Sequence, residues 1–181
     1  MSFSKIAGKI LFIIVMLFLW MVLMMIFTRM EHHRMNDRVV GHAITMFNIP
    51  ELADPDTYFS PEIWKGKVAI INIFASWCGP CQAEHEKLLK LAQTTTVPIY
   101  GIAWHDRGIN TKEFLYTRGN PYKIVALDEL GHTTIPFLIK GIPETVIVGK
   151  DGIVRFHCIG ALDNDIINGE MLPLLEKLNA K

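Results

Sequence analysis

The longest apolar stretch, Ile10 to Phe27, contains neither charge nor proline. At about 1.5 Å per residue such a run spans roughly 27 Å as a helix, close to a hydrocarbon core of about 30 Å. It exceeds the apolar core of a secretory signal, and Met25-Ile26-Phe27-Thr28-Arg29 after it is too bulky for a small-x-small cleavage site. The pattern predicts an uncleaved transmembrane anchor over residues 10–28. Residues 1–9 precede it, 29–45 form a stalk whose polar part is Glu31 to Asp37, and the folded domain occupies 46–181. Lys5 and Lys9 on one side balance Arg29, Arg34 and Arg38 on the other, so charge alone does not orient the span.

Beyond residue 46 the periodicity changes repeatedly. Met46 to Leu52 reads as a short edge segment and Asp54 to Pro61 as a loop. Lys67 to Ala75 is a continuous isoleucine-rich run, the pattern of a strand covered on both faces. Gln82 to Gln93 places Ala83, Leu88, Leu89, Leu91 and Ala92 against Glu84, Glu86, Lys87 and Lys90, an amphipathic helix. Val97 to Ala103 is a strand. Asn110 and Glu113 have capping-box spacing for a helix that Gly119 ends, and Ile124 to Leu127 is a short strand. Thr145 to Val148 and Ile153 to Ile159 flank Gly149-Lys150-Asp151-Gly152 as a hairpin. Asp163 to Leu178 is helical, with Pro173 confining its second helix to a start near Gly169 or Glu170. The order predicts an α/β fold, a mixed sheet with helices on both faces.

Half of the 181 residues are apolar, and the formal net charge is zero. A core can form, whereas a basic face for nucleic acid is absent, so no nucleic-acid partner is expected. The three cysteines, Cys78, Cys81 and Cys158, are too few for a disulfide scaffold but enough for one redox pair. Cys78 falls where the buried strand turns into a helix, beside unpaired N–H groups and the positive end of the helix dipole. That position stabilises a thiolate, the nucleophilic form. Cys81 lies in the first helical turn, near enough to resolve a mixed disulfide, and Pro80 loses nothing there by lacking an N–H. Trp77 shields the pair and offers a surface to a partner. The same spacing is half of a zinc site, with His85 as a third ligand; a fourth is lacking, so no metal is expected.

Trp77-Cys78-Gly79-Pro80-Cys81 after Val68–Ser76 resembles the thioredoxin superfamily. Gly119-Asn120-Pro121-Tyr122, Gly141-Ile142-Pro143-Glu144-Thr145, Asp151-Gly152-Ile153-Val154 and Met171-Leu172-Pro173-Leu174-Leu175 narrow this. With the anchor, they resemble the thiol:disulfide interchange proteins of cytochrome c maturation, the DsbE or CcmG type, from about Phe47 to Leu178. The resemblance implies a thioredoxin-like fold on the periplasmic side of the inner membrane. A membrane thiol electron donor would keep the pair reduced, and the pair would reduce apocytochrome c, alone or in its maturation complex, so that haem can be attached. No bound cofactor is required. Four departures from the family pattern stand out: Gly79-Pro80 between the cysteines, Leu138 where a loop glycine is expected, Trp104-His105, and Cys158.

The resemblance also implies a cis bond before Pro143, with the Ile142 backbone and Trp77 receiving an extended peptide. Thioredoxin has a buried aspartate at the position of Asn72, which cannot ionise. Glu84, three residues after Cys81, and Glu144, on the groove's lip, are the candidate catalytic carboxylates; a solvated helix charge is the alternative for Glu84. Cys158 reads as a small buried hydrophobe, His157 and His132 as single histidines without partners, and Trp104 as a core or site-bordering aromatic. Cys78 is then the nucleophile and Cys81 the resolving thiol. Rival expectations are a broader tethered reductase for other secreted targets such as copper-site cysteines, a copper chaperone on the same fold, and an oxidase.

Overall fold

The computed structural model describes residues 3–30, 34–35, 39–132 and 139–180. The chain divides into two compact units, Met1–Arg34 and Met35–Lys181. In the first, α1 (Phe3–Met30) is a single helix whose apolar side chains from Ile10 to Met25 are nearly all exposed. Its segment Gly8–Met25 is long and apolar enough to cross a membrane.

A two-residue strand, β1 (Arg34–Met35), lies where the units divide. The second unit then runs β2 (Ile49–Pro50), β3 (Tyr58–Phe59), β4 (Ala69–Phe74), α2 (Gly79–Thr94), β5 (Ile99–Trp104) and α3 (Gly108–Arg118). β6 (Ile124–Asp128), β7 (Glu144–Val148), β8 (Val154–Ile159) and a C-terminal helical segment, Asn164 to Asn179, complete it. The long strands lie in the order β8-β7-β4-β5-β6. β4 runs parallel to β5 and antiparallel to β7, pairing Asn72 with Gly101 on one side and Thr145 on the other.

Every residue of β4 is buried because both faces of the sheet are covered. Ile70 and Phe74 face Leu88, Leu91, Phe114, Leu115 and the cysteine pair. Ala69, Ile71 and Ile73 join Phe59, Trp64, Tyr100, Ile102 and Val146 on the opposite face. There the rings of Phe59, Trp64 and Tyr100 pack with centroids 5.4–6.1 Å apart. The buried positions of α2, Cys81, Glu84, His85, Leu88 and Leu91, follow helical spacing and put one face on the sheet.

Four expectations are corrected. The domain begins before residue 46: Val39 and Ile44 are buried in the second core, and Gly41 N–H donates to the Val154 carbonyl at 2.9 Å. Residues 31–33 and 36–38 of the expected stalk, like Leu138, lie outside the described residues. The Asp54–Pro61 loop contains β3, whose Phe59 is drawn into the core opposite Ile49. α3 starts at Gly108, not at an Asn110 cap, because Asp106 receives Arg107 N–H (2.8 Å) and the Thr111 hydroxyl (3.0 Å) and so organises the first turn. The C-terminal segment does not restart at Gly169 or Glu170; a π-helical turn, Ile167–Met171, leads into Leu172–Asn179 with Pro173 in its first turn.

Candidate active site

Helix α2 is capped by the redox pair itself. Cys78 is its N-cap residue, and Cys81 N–H points at Cys78 Sγ from 3.2 Å. Cys78 and Cys81 are joined by a disulfide, and both are almost fully buried. The sulfur of Cys78 thus sits where backbone N–H groups and the helix dipole favour negative charge, the condition for a stable thiolate after reduction.

The loop carrying the pair is pinned from the segment that follows β5. Asp106 accepts from Ser76 N–H (2.7 Å) and the Ser76 hydroxyl (2.9 Å). Trp77 Nε1–H donates to the His105 carbonyl at 3.0 Å, which leaves the indole 58% exposed beside the disulfide. Gln82 Nε2 closes the loop on the Ser76 carbonyl at 2.7 Å. Facing the pair from the other side, the Ile142–Pro143 bond is cis, and the Ile142 carbonyl oxygen lies 3.8 Å from Cys78 Sγ. The structure therefore places the backbone just before Pro143 against Cys78, the residue next to Trp77 in the chain.

Glu84 is not a solvated helix charge. It is fully buried and accepts from Asn72 Nδ2 (3.0 Å) through Oε1 and from Leu162 N–H (2.6 Å) through Oε2. Burial pushes its pKa up from 4.5 to about 7, opposed by those two hydrogen bonds and by Lys87. Asn72 also donates to Thr145 Oγ1 (3.0 Å) and accepts from the Tyr122 hydroxyl (2.8 Å). Burial, and then the charge of Glu84, hold the Tyr122 phenol well above its usual range, so it remains a donor. Gly101 makes that contact possible. A Cβ there would meet Tyr122 Cγ at 2.9 Å and Phe74 at 3.0 Å, where those two rings stack at 4.9 Å.

Glu144 does not line a groove lip. It is fully buried at the start of β7; its Oε1 receives Lys140 N–H (2.8 Å) and Gly141 N–H (3.1 Å), and its Oε2 meets His157 Nε2 at 2.7 Å. It ties the loop that carries Ile142 and Pro143 to β8, and His157, expected to lack a partner, is its partner. His85 is buried with Nε2 engaged by the Gly119 carbonyl at 2.9 Å, and burial lowers its pKa. Among the described residues no three metal-ligating side chains converge. Cys158 is buried, its thiol pushed up to about 12 first by burial and then by Glu84 and other carboxylates, which makes it unreactive. Trp104 packs half-buried against the second core, not against the disulfide cluster.

Sequence reasoning gave no role to Tyr122, Thr145 or Asp106, gave His157 no partner, and placed Asn72 at the position of thioredoxin's buried aspartate without identifying what it bonds; Tyr122 stood out only as the end of the Gly-Asn-Pro-Tyr motif. A buried polar side chain in a strand implies a partner, but not which one.

Residues 39–168 match the Redoxin family model. The thiol:disulfide interchange protein CycY of Rhizobium leguminosarum bv. viciae is 37% identical over 117 residues, 65% of this chain and 63% of that protein. The thiol:disulfide interchange protein DsbE of Allochromatium vinosum is 31% identical over 131 residues, 72% of each chain. Among solved structures, a secreted thiol-disulfide isomerase from Corynebacterium glutamicum superposes with a TM-score of 0.64 at 18% identity, over 74% of this chain and 85% of that one, and shares the fold.

Proposed function

The chain belongs to the Redoxin family as a thiol:disulfide interchange protein of the DsbE/CycY type, an oxidoreductase acting through Cys78 and Cys81, and on that premise we propose that it is a membrane-tethered reductase of apocytochrome c cysteines. In this reading α1 anchors the chain in the inner membrane and the folded unit faces the periplasm. A membrane thiol carrier supplies the electrons.

The observation that carries the reading is the placement of Cys78 Sγ. It caps α2 beneath an exposed Trp77 and 3.8 Å from the Ile142 carbonyl, so an extended peptide paired to the backbone before Pro143 would bring its disulfide to this sulfur. Cys78 attacks, and Cys81 resolves the mixed disulfide. Glu84, buried on the helix face three residues from Cys81, takes the proton from the resolving thiol; a group whose pKa lies near neutrality suits that transfer. Glu144 contributes at one remove, by fixing the Lys140–Gly141 backbone.

Trapping with Cys81→Ser in cells making c-type cytochromes tests this. Apocytochrome c, or a component of its assembly, should be recovered as a mixed disulfide on Cys78. Recovery of other secreted proteins alone would replace the reading with a broader tethered reductase, and a midpoint potential near the −120 mV of strong oxidants, instead of below about −200 mV, would replace it with an oxidase.

A further inference from the structure

Among the described residues, both hydrogen-bond partners of the Glu84 carboxylate are N–H donors: Asn72 Nδ2 on one oxygen and Leu162 N on the other. That arrangement satisfies the ionised form. A proton on either oxygen would face an N–H, and a buried hydroxyl without an acceptor is costly. Yet the carboxyl is deeply buried and takes up a proton close to neutrality. The network therefore needs an acceptor when the proton arrives.

We infer that Asn72 is a positioning residue whose side-chain amide turns over when Glu84 is protonated, with the hydroxyls of Tyr122 and Thr145 rotating to match. With Glu84 ionised, Nδ2 donates to Glu84 and Thr145 while Oδ1 accepts from Tyr122. After a half-turn about χ2, Oδ1 accepts from the Glu84 carboxyl and the Thr145 hydroxyl, while Nδ2 donates to the Tyr122 oxygen. Each hydroxyl exchanges roles between the two arrangements: Thr145 accepts from Nδ2 in the first and donates to Oδ1 in the second, and Tyr122 donates to Oδ1 in the first and accepts from Nδ2 in the second.

The inference rests on the reading of Glu84 as proton acceptor for Cys81. In the resolving step the Cys81 S–H bond breaks and its proton forms an O–H bond on Glu84. The Cys81–Cys78 bond forms, and the substrate sulfur leaves Cys78 as a thiolate with the bonding pair. The titratable groups bearing on Glu84 are Lys87 from its own helix, Tyr122 from the segment before β6 and Cys158 from β8. Glu144, Asp163 and Glu170 bear on the Cys158 thiol. Tyr122 and Cys158 stay protonated throughout the neutral range, so the charge change falls on Glu84.

The two hydroxyls support opposite states, which gives the test its sign. Thr145→Val strands an N–H of Asn72 in the ionised arrangement but leaves the turned-over Oδ1 still bonded to Glu84. Tyr122→Phe strands only a carbonyl oxygen in the ionised arrangement but an N–H in the protonated one, and buried N–H groups tolerate isolation less well. In the oxidised full-length chain in detergent micelles, carboxyl-carbon NMR should show the Glu84 pKa raised in Thr145→Val and lowered in Tyr122→Phe, each by about 0.5–1 unit. Shifts of the same sign, expected if the variants merely loosen the site and admit water, or no shifts, overturn the inference. The wild-type chain provides a second readout independent of variant folding. The Asn72 Nδ2 protons should show nuclear Overhauser contacts to Thr145 above the Glu84 titration and to Tyr122 below it; contacts unchanged across the titration overturn the inference. Neither measurement involves a substrate, so its failure is distinct from failure of the trapping experiment.

Discussion

Leu162 N–H donates to Glu84 Oε2 at 2.6 Å, joining the first turns of α2 to the segment before the C-terminal helix across 78 residues. The bond steadies a carboxylate that burial otherwise disfavours. Glu84 holds its proton more tightly in the folded chain, at about 7, than in the unfolded chain, near 4.5. Its contribution to stability is therefore fully present below about 4.5 and is lost as pH rises through 7. Denaturant unfolding of the oxidised chain should lose about 2–3 kcal/mol between pH 5 and 8 through this group. Glu84→Gln should remove most of that slope; an unchanged slope would assign it elsewhere.

The same substitution acts on the thiols once the pair is reduced. A carboxylate near a thiol disfavours the thiolate, so Glu84→Gln should lower the Cys78 pKa measured by thiolate absorbance. Resolution by Cys81 should slow by about tenfold to a hundredfold for want of a proton acceptor. Stopped-flow reduction of a Cys-x-x-Cys-His peptide disulfide separates these effects, because attack and release occur in different phases.

Cys78 should be the thiol that reacts first. It caps the helix, whereas Cys158 is buried with its thiol pushed up to about 12. Brief alkylation of the reduced chain at neutral pH followed by peptide mapping should label Cys78 ahead of Cys81, with Cys158 unlabelled until the chain is denatured. Faster labelling of either other cysteine would move the nucleophile.

Gly101→Ala should damage the site from a distance. The added Cβ would fall 2.9 Å from Tyr122 Cγ with Phe74 closing the other side, and neither ring has room to move in the core. Overpacking of this kind costs about 1–3 kcal/mol, read as a lowered Tm. Displacement of the Tyr122 hydroxyl from Asn72 should also shift the Glu84 titration downward, as in Tyr122→Phe.

The proposed anchor is α1, whose segment Gly8–Met25 is long and apolar enough to cross a membrane. The full chain should remain with membranes after a carbonate wash, and removal of residues 1–30 should release the folded unit. Release of the intact chain by the wash would show that α1 does not span the bilayer.

Local sequence determined a large part of this protein. The isoleucine run became β4 because an uninterrupted apolar segment is stable only where both faces are covered. Cys78 acquired its position at the α2 N-terminus from the strand-to-helix change around it, and Gly149 to Gly152 produced the hairpin. These features depend on neighbours a few residues apart, which periodicity and turn chemistry report. Only the tertiary structure decided the fate of the polar residues. Asn72 finds Glu84, Tyr122 and Thr145 at separations of 12, 50 and 73 residues, and Glu144 finds His157 from the next strand instead of facing solvent. A charged residue on a helix has the same sequence signature whether it meets water or a buried amide. The packing of α2 onto the sheet buried Glu84, raised its proton affinity and gave it partners; hydrogen bonds over such separations leave no periodic trace in the chain.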